Sequence, residues 1–272
     1  MDILELVKVI VFGIIEGITE WLPISSTGHM IIAERFLHPA VSKEFFDMFL
    51  VVIQLGAILA VVILFWKKIF PFSLKRDTPL IKKDIMNMWF KVIVAVLPAV
   101  IIGLPFDDIL EQLFYNPLTV SLMLIVYGVI FILIESKGQN KNFAINDISQ
   151  LTYKTALFIG IFQVLALIPG TSRSGATIIG AMLIGTSREV AAEFTFYLAI
   201  PVMFGASLLK ILKFGLHFTS TELIILFTGM ATAFIVSVFA IKFLMGYIKK
   251  HDFKVFGWYR IILGVVLLLL MK

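Results

Sequence analysis

Cysteine is absent from the chain, which excludes disulfide staples, thiolate nucleophiles and cysteine-ligated metals and leaves the redox compartment without a marker. Charge is scarce as well: 15% of the 272 residues are Asp, Glu, Lys or Arg, against 60% hydrophobic, and mean hydropathy is +1.02. A soluble domain of this size needs more polar surface to cover its core, so the composition is that of an integral membrane protein. Residues 48–66, 92–104 and 118–134 carry no charge at all, and each run is near or above the length that crosses about 30 Å of hydrocarbon. No cleavable leader is expected, because residues 1–15 carry Asp2 and Glu5 before any apolar stretch and lack a small-residue cleavage site. The net charge of +5 does not indicate nucleic acid, since the lysines sit in short loops with no aromatic strip interleaved for stacking bases.

What is there is a pattern of apolar helices, some whole and some broken. Six spans are expected near residues 45–66, 89–106, 118–135, 192–213, 222–246 and 256–271. Residues 3–36 and 153–186 are also apolar but are interrupted by Pro, Gly and Ser at 23–28 and 169–175. Irregular backbone at membrane depth is tolerated only where protein buries it or it lines a wet cavity, so these segments read as re-entrant helix-loop-helix pairs. The expected fold is therefore an all-α polytopic membrane protein, in a single membrane domain.

Basic residues set its orientation. Lys67, Lys68, Lys75, Arg76, Lys82 and Lys83 place the loop after the first span in the cytoplasm. By alternation the acidic loop at 106–116, with Asp107, Asp108 and Glu111, lies outside, as do both termini. The loops with Lys137, Lys141 and Lys154 and with Lys249, Lys250 and Lys254 lie inside. The two broken segments then open to opposite faces. They also resemble each other once a one-residue gap is allowed: Gly13 and Glu16 answer Gly160 and Gln163, Leu22-Pro23 answers Ile168-Pro169, Ser25-Ser26 answers Thr171-Ser172, and Gly28 answers Gly175. Residues 1–135 and 153–272 thus read as inverted repeats, each with one re-entrant pair and three spans, an arrangement that puts a shared site near the midplane.

The chemistry sits in the two interruptions. Residues 16–29, EGITEWLPISSTGH, hold Glu16 and Glu20 four apart on one helix face, and such a pair either shares a proton or binds a divalent cation. Ser25, Ser26 and Thr27 suit a helix N-cap, but His29, three residues past Ser26, could take a hydroxyl proton. Residues 169–177, PGTSRSGAT, supply Arg173 between Ser172 and Ser174, with Thr171 and Gly175 alongside. A guanidinium forks onto phosphate oxygens, and a small-residue turn at a helix start adds backbone donors. Carboxylate, hydroxyl, imidazole and guanidinium at one point suggest phosphoryl transfer or hydrolysis.

EGITEWLPISSTGHM together with PGTSRSGAT closely resembles the two signature motifs of bacterial undecaprenyl-diphosphate phosphatases, the bacitracin-resistance family. The resemblance extends through FFDMFLVVIQLGAILAVV and SREVAAEFTFYLAIPVM. It implies an enzyme of the bacterial plasma membrane that removes the terminal phosphate of a polyprenyl diphosphate carrier lipid, with the site reached from the outer face. On this chain it implies Glu16 and Glu20 near a metal or proton, with magnesium or calcium as cofactor. It further implies Ser26 as nucleophile, His29 as acid or base, and Arg173 with Ser172 and Ser174 on the diphosphate, with Ser25, Thr27, Thr171 and Gly175 beside them. The expected partners are the lipid substrate and the bilayer, with a homodimer left open. The rival reading is a flippase or anionic-lipid transporter, for which inverted repeats and an arginine would serve equally; a channel is disfavoured because neither loop repeats a ring of like groups.

Overall fold

The computed structural model describes residues 2–73, 79–138 and 143–270. Lys75, Arg76 and Lys141, used above for orientation, lie outside these residues, as do the side chains of Asp107, Asp108 and Glu111. Among the described residues the chain folds as helices: α1 (Ile3–Thr19), α2 (Ser26–Phe36), α3 (Lys43–Leu64), α4 (Trp66–Ile69), α5 (Lys83–Phe114), α6 (Pro117–Gly138), α7 (Tyr153–Val164), α8 (Arg173–Leu183), α9 (Arg188–Phe214), α10 (Ser220–Tyr247) and α11 (Lys254–Leu270). Their starts follow from local side-chain chemistry. The hydroxyls of Ser42 and Ser187 accept from the backbone N–H of Phe45 and Val190, and Thr219 and Glu222 form a reciprocal capping box.

Among the described residues five helices are long and apolar enough to cross a membrane: Lys43–Leu64, Lys83–Phe106 as the apolar part of α5, Pro117–Lys137, Arg188–Phe214 and Ser220–Tyr247. The expected sixth span coincides with α11, a helix of 17 residues. The expected loop at 106–116 is mostly helix instead. The chain passes Pro98 and Pro105 without leaving the helix and stops at Phe114; hydropathy marks where apolar character ends, not where the hydrogen-bond ladder does. Large apolar side chains cover the outside, with Ile101 66% and Phe239 68% exposed, as a surface in contact with lipid requires.

Inside, α3 is the central element, packing on α9 and α10. α1 lies along α10, α7 along α5, and α6 along α11. The two broken segments approach their long partners at matched glycines. A Cβ at Gly13 would meet Thr232 Cβ of α10 at 2.7 Å, and one at Gly160 would meet Ala95 Cα of α5 at 2.8 Å. Aromatic rings fill the remaining space, with Trp21 edge-on to Phe196 at 5.3 Å and Phe12 edge-on to Phe46 at 5.1 Å.

Because α7 can approach α5 only where no side chain intervenes, Gly160→Val should force the pair apart and cost about 1–3 kcal/mol. The thermal unfolding midpoint in detergent should fall accordingly, and an unchanged midpoint would refute this contact.

Candidate active site

Both broken segments restart earlier than their sequence suggests. α2 begins at Ser26 and α8 at Arg173, so Ser26, Thr27, Ser174 and Gly175 belong to first helical turns, not to loops. The residue before each helix is a serine in the left-handed region, Ser25 at φ 73° and Ser172 at φ 70°. That conformation is uncommon for a residue with a Cβ. It turns the chain sharply enough to start a new helix beside the end of the old one. The Ser172 hydroxyl caps its helix, accepting from Gly175 N–H at 3.2 Å; Ser25 makes no such bond. The backbone thus pairs Ser25 with Ser172 and Ser26 with Arg173, moving the gap of the internal alignment to a point before Ser25.

Arg173 is fixed on every side. Nη2 donates to Glu20 Oε1 at 2.7 Å, a pair separated by 153 residues in the chain, and Nη1 donates to the Thr195 carbonyl at 2.8 Å. Met203 Sδ lies 3.6 Å from Nη2, and the Trp21 ring sits 6.0 Å away. The other oxygen of Glu20, Oε2, accepts from the Ser26 hydroxyl at 3.2 Å, and its backbone carbonyl accepts from Ser174 Oγ at 3.1 Å. One carboxylate therefore connects the first segment's hydroxyl to the second segment's guanidinium. Both side chains are mostly buried, at 8% and 13% exposure, so the pair is weakly screened.

A cavity of about 230 Å³ opens on this pair, lined by Glu20, Ser26, Thr27, Ser172, Arg173 and Gln163 among others. At roughly 30 Å³ per water it would hold on the order of eight waters, room for a diphosphate group. Of the expected substrate contacts, Thr27 and Ser172 line it, while Ser25, Thr171, Ser174 and Gly175 are absent from its lining. Those four pack in the frame behind it: Ser174 braces Glu20, Gly175 is capped by Ser172, and Ser25 and Thr171 are buried.

His29 makes no hydrogen bond to Ser26; both its ring nitrogens are engaged elsewhere. Its Nδ1–H donates to the Ser25 carbonyl at 2.7 Å, one helical turn back, which leaves Nε2 to accept from the Tyr259 hydroxyl at 2.7 Å. The ring thus grips the turn ahead of Ser26, and the group in contact with the serine hydroxyl is Glu20. Glu16 is 1% exposed, and its Oε1 has no hydrogen-bond partner. Among the described residues no cluster of three or more His, Asp or Glu could hold a metal by itself. Glu16 is absent from the lining of the cavity; what it offers a hard cation is an orphaned carboxylate oxygen one turn from Glu20, the donor type such an ion takes.

The residue most clearly missed in the sequence is Arg260, fully buried on α11. Its Nη1 donates to the Pro23 carbonyl at 3.2 Å, and its Nη2 to the carbonyls of Gly170 and Thr171 at 2.9 and 2.8 Å. It staples both interruptions together. Its signal was a lone arginine inside an apolar span, which is costly unless something inside the protein receives it.

A profile of the family described as bacitracin resistance protein BacA matches residues 9–266. The chain belongs to this family. Within the bacitracin resistance protein BacA family it is 65% identical over 266 residues to an undecaprenyl-diphosphatase of Acetivibrio thermocellus, covering 98% of this chain and 97% of that protein. It is 60% identical to one of Enterococcus faecalis, over 99% of this chain and 98% of that protein. The undecaprenyl-diphosphatase 1 of Clostridioides difficile is 56% identical, over 98% and 96%. These matches span both broken segments, so the pairing of Glu20 with Arg173 lies inside the shared region of this BacA-family chain.

Removing the guanidinium should release both interruptions at once. Arg260→Ala is expected to destabilise the protein by about 3–5 kcal/mol, since three buried carbonyls lose their donor. Arg260→Lys should recover little of this, because a single ammonium cannot fork across both segments. Unfolding midpoints in detergent test both; a Lys variant as stable as wild type would contradict the staple.

Proposed function

We propose that the chain hydrolyses undecaprenyl diphosphate, or a similar polyprenyl diphosphate, to the monophosphate and inorganic phosphate, returning the carrier lipid to cell-wall synthesis. The observation that carries this reading is the triplet Ser26–Glu20–Arg173 at the mouth of a diphosphate-sized cavity. The name carried by the relatives agrees with it.

In the mechanism proposed, Arg173, with the first-turn N–H groups of α2, receives the phosphate oxygens. Ser26 Oγ forms a bond to the terminal phosphorus as the bond to the bridging oxygen breaks, and the hydroxyl proton passes by way of Glu20 Oε2 to that oxygen of the departing lipid monophosphate, which leaves Glu20 ionised. Water then hydrolyses the phosphoserine. Glu16 and Glu20 would hold magnesium or calcium, which supplies charge neutralisation to the diphosphate. His29 serves by fixing the Ser25 turn, so its contribution is to the position of Ser26. A transporter needs the arginine and the cavity but has no use for a serine whose hydroxyl is held by a carboxylate, and this favours the hydrolase.

The same proposal includes the membrane arrangement. α2 and α8 have 11 residues each, a rise of about 16 Å and roughly half the hydrocarbon thickness. They fit re-entrant pairs better than spans. The corresponding positive-φ serines, and the matched approaches of α1 to α10 and α7 to α5, support two repeats of opposite orientation, six spans in all, both termini outside and the cavity reached from the outer face of the plasma membrane.

Purified protein with polyprenyl diphosphate in detergent, and no membrane gradient, should release phosphate. Ser26→Ala and Arg173→Ala should each lose about 100-fold or more in kcat/KM, and chelator should reduce the wild-type rate. Near-normal release by Ser26→Ala would replace the phosphoserine with direct attack by water. Because the chain has no native cysteine, topology is separately testable. A cysteine at Leu216 should react with an impermeant maleimide on intact cells, whereas one at Lys250 should react only after permeabilisation. The reverse pattern would invert the orientation.

A further inference from the structure

Gln163 is a buried polar group of the cavity that the mechanism above does not use. It lies in the last turn of α7, is 2% exposed, and lines the same cavity as Glu20, Ser26 and Arg173. Neither Nε2 nor Oε1 has a hydrogen-bond partner. An amide buried with both ends unpaired costs about 1–3 kcal/mol for each group, whereas an apolar side chain of similar size would cost nothing. Packing alone does not account for it.

The ligand that would relieve it can be read from its chemistry. The amide offers N–H donors at one end and an acceptor at the other. A phosphate oxygen could answer the donors but would leave Oε1 facing further negative charge. Water answers both ends, accepting from Nε2–H while donating to Oε1. We infer that Gln163 holds the water that attacks phosphorus in the hydrolytic step, an inference that rests on the phosphatase reading above. The water oxygen forms the new bond to phosphorus as the bond to Ser26 Oγ breaks. One water proton passes by way of Glu20 to the departing serine oxygen, and the other leaves on inorganic phosphate. Glutamine orients attacking water in the same sense in nucleotide hydrolases. The position corresponding to Gln163 in the first segment is Glu16. A carboxylate at 163 would keep the acceptor but lose the donor and add charge facing the phosphate.

The experiment compares wild type with Gln163→Leu on long-chain polyprenyl diphosphate, measuring kcat, KM, thermal stability, and the ratio of methyl phosphate to inorganic phosphate formed in added methanol. Gln163→Leu should be at least as stable as wild type. Its kcat should fall about 10- to 100-fold with KM nearly unchanged, as expected for a misplaced nucleophile. The product ratio should shift severalfold towards methyl phosphate, since the apolar pocket no longer favours water. A raised KM with unchanged kcat would mean that the amide binds the lipid substrate instead, and wild-type kinetics with an unchanged product ratio would mean that it is inert. Either result overturns the inference while the phosphatase reading stands. Should Gln163→Leu fail to fold, Gln163→Met carries the same test with an unbranched side chain. Absence of phosphate release by the wild type would overturn the phosphatase reading itself, and this inference with it.

Discussion

A chain that breaks its helices in an apolar interior leaves carbonyl groups with no water to receive them, and each must be given a donor. In this protein one side chain meets much of that demand. Arg260 reaches from α11 to the carbonyls of Pro23, Gly170 and Thr171, residues of both interruptions, and has a tyrosine ring, that of Tyr127, 5.7 Å from its guanidinium carbon. Without such a donor the two turns would be joined only through Glu20, by its bonds to Arg173 and Ser174. The distances between Ser26, Glu20 and Arg173 would then depend on how each segment happened to settle.

With the turns held, the Glu20–Arg173 pair can be read energetically. A buried ion pair repays its desolvation only when its geometry is good and its remaining atoms are bonded. Here Arg173 also has Thr195, and Glu20 also has Ser26 and, through its backbone, Ser174. The pair is therefore satisfied by protein groups alone, and its charges are desolvated and oriented by the fold. The cost of preparing it is met in folding, which is the condition for charge stabilisation to lower a barrier.

How much of this was legible in the sequence depended on whether the signal was local. The apolar spans were visible as runs of composition, and the two interruptions as clusters of Pro, Gly and Ser, because both are properties of adjacent residues. The end of α5 was not: it continues to Phe114 past the point where hydropathy falls. The partners of His29 are non-local for a related reason. Closeness in sequence to Ser26 suggested a proton acceptor, but a helical turn offered its Nδ1 the Ser25 carbonyl, and the other nitrogen found Tyr259, 230 residues away. Arg260 and Gln163 carried a cue, a polar group among apolar neighbours. Their partners and surroundings, however, come from distant segments that no local pattern names.

The serines in the left-handed region explain why two such segments are needed at all. A helix that restarts immediately after a break begins with N–H groups that the helix itself does not pair; in α8 one of them, that of Gly175, is met by the Ser172 hydroxyl. Ser25 and Ser172 accomplish that restart twice, and the residues lining the cavity include the beginnings of both helices, Ser26 and Thr27 from α2 and Arg173 from α8. One segment alone would bring a hydroxyl and a carboxylate but no cation; the other would bring a cation with no base. Only their convergence sets a guanidinium beside a hydroxyl held by a carboxylate, so the positive φ of each serine is a constraint on the geometry of the cavity as much as on the fold.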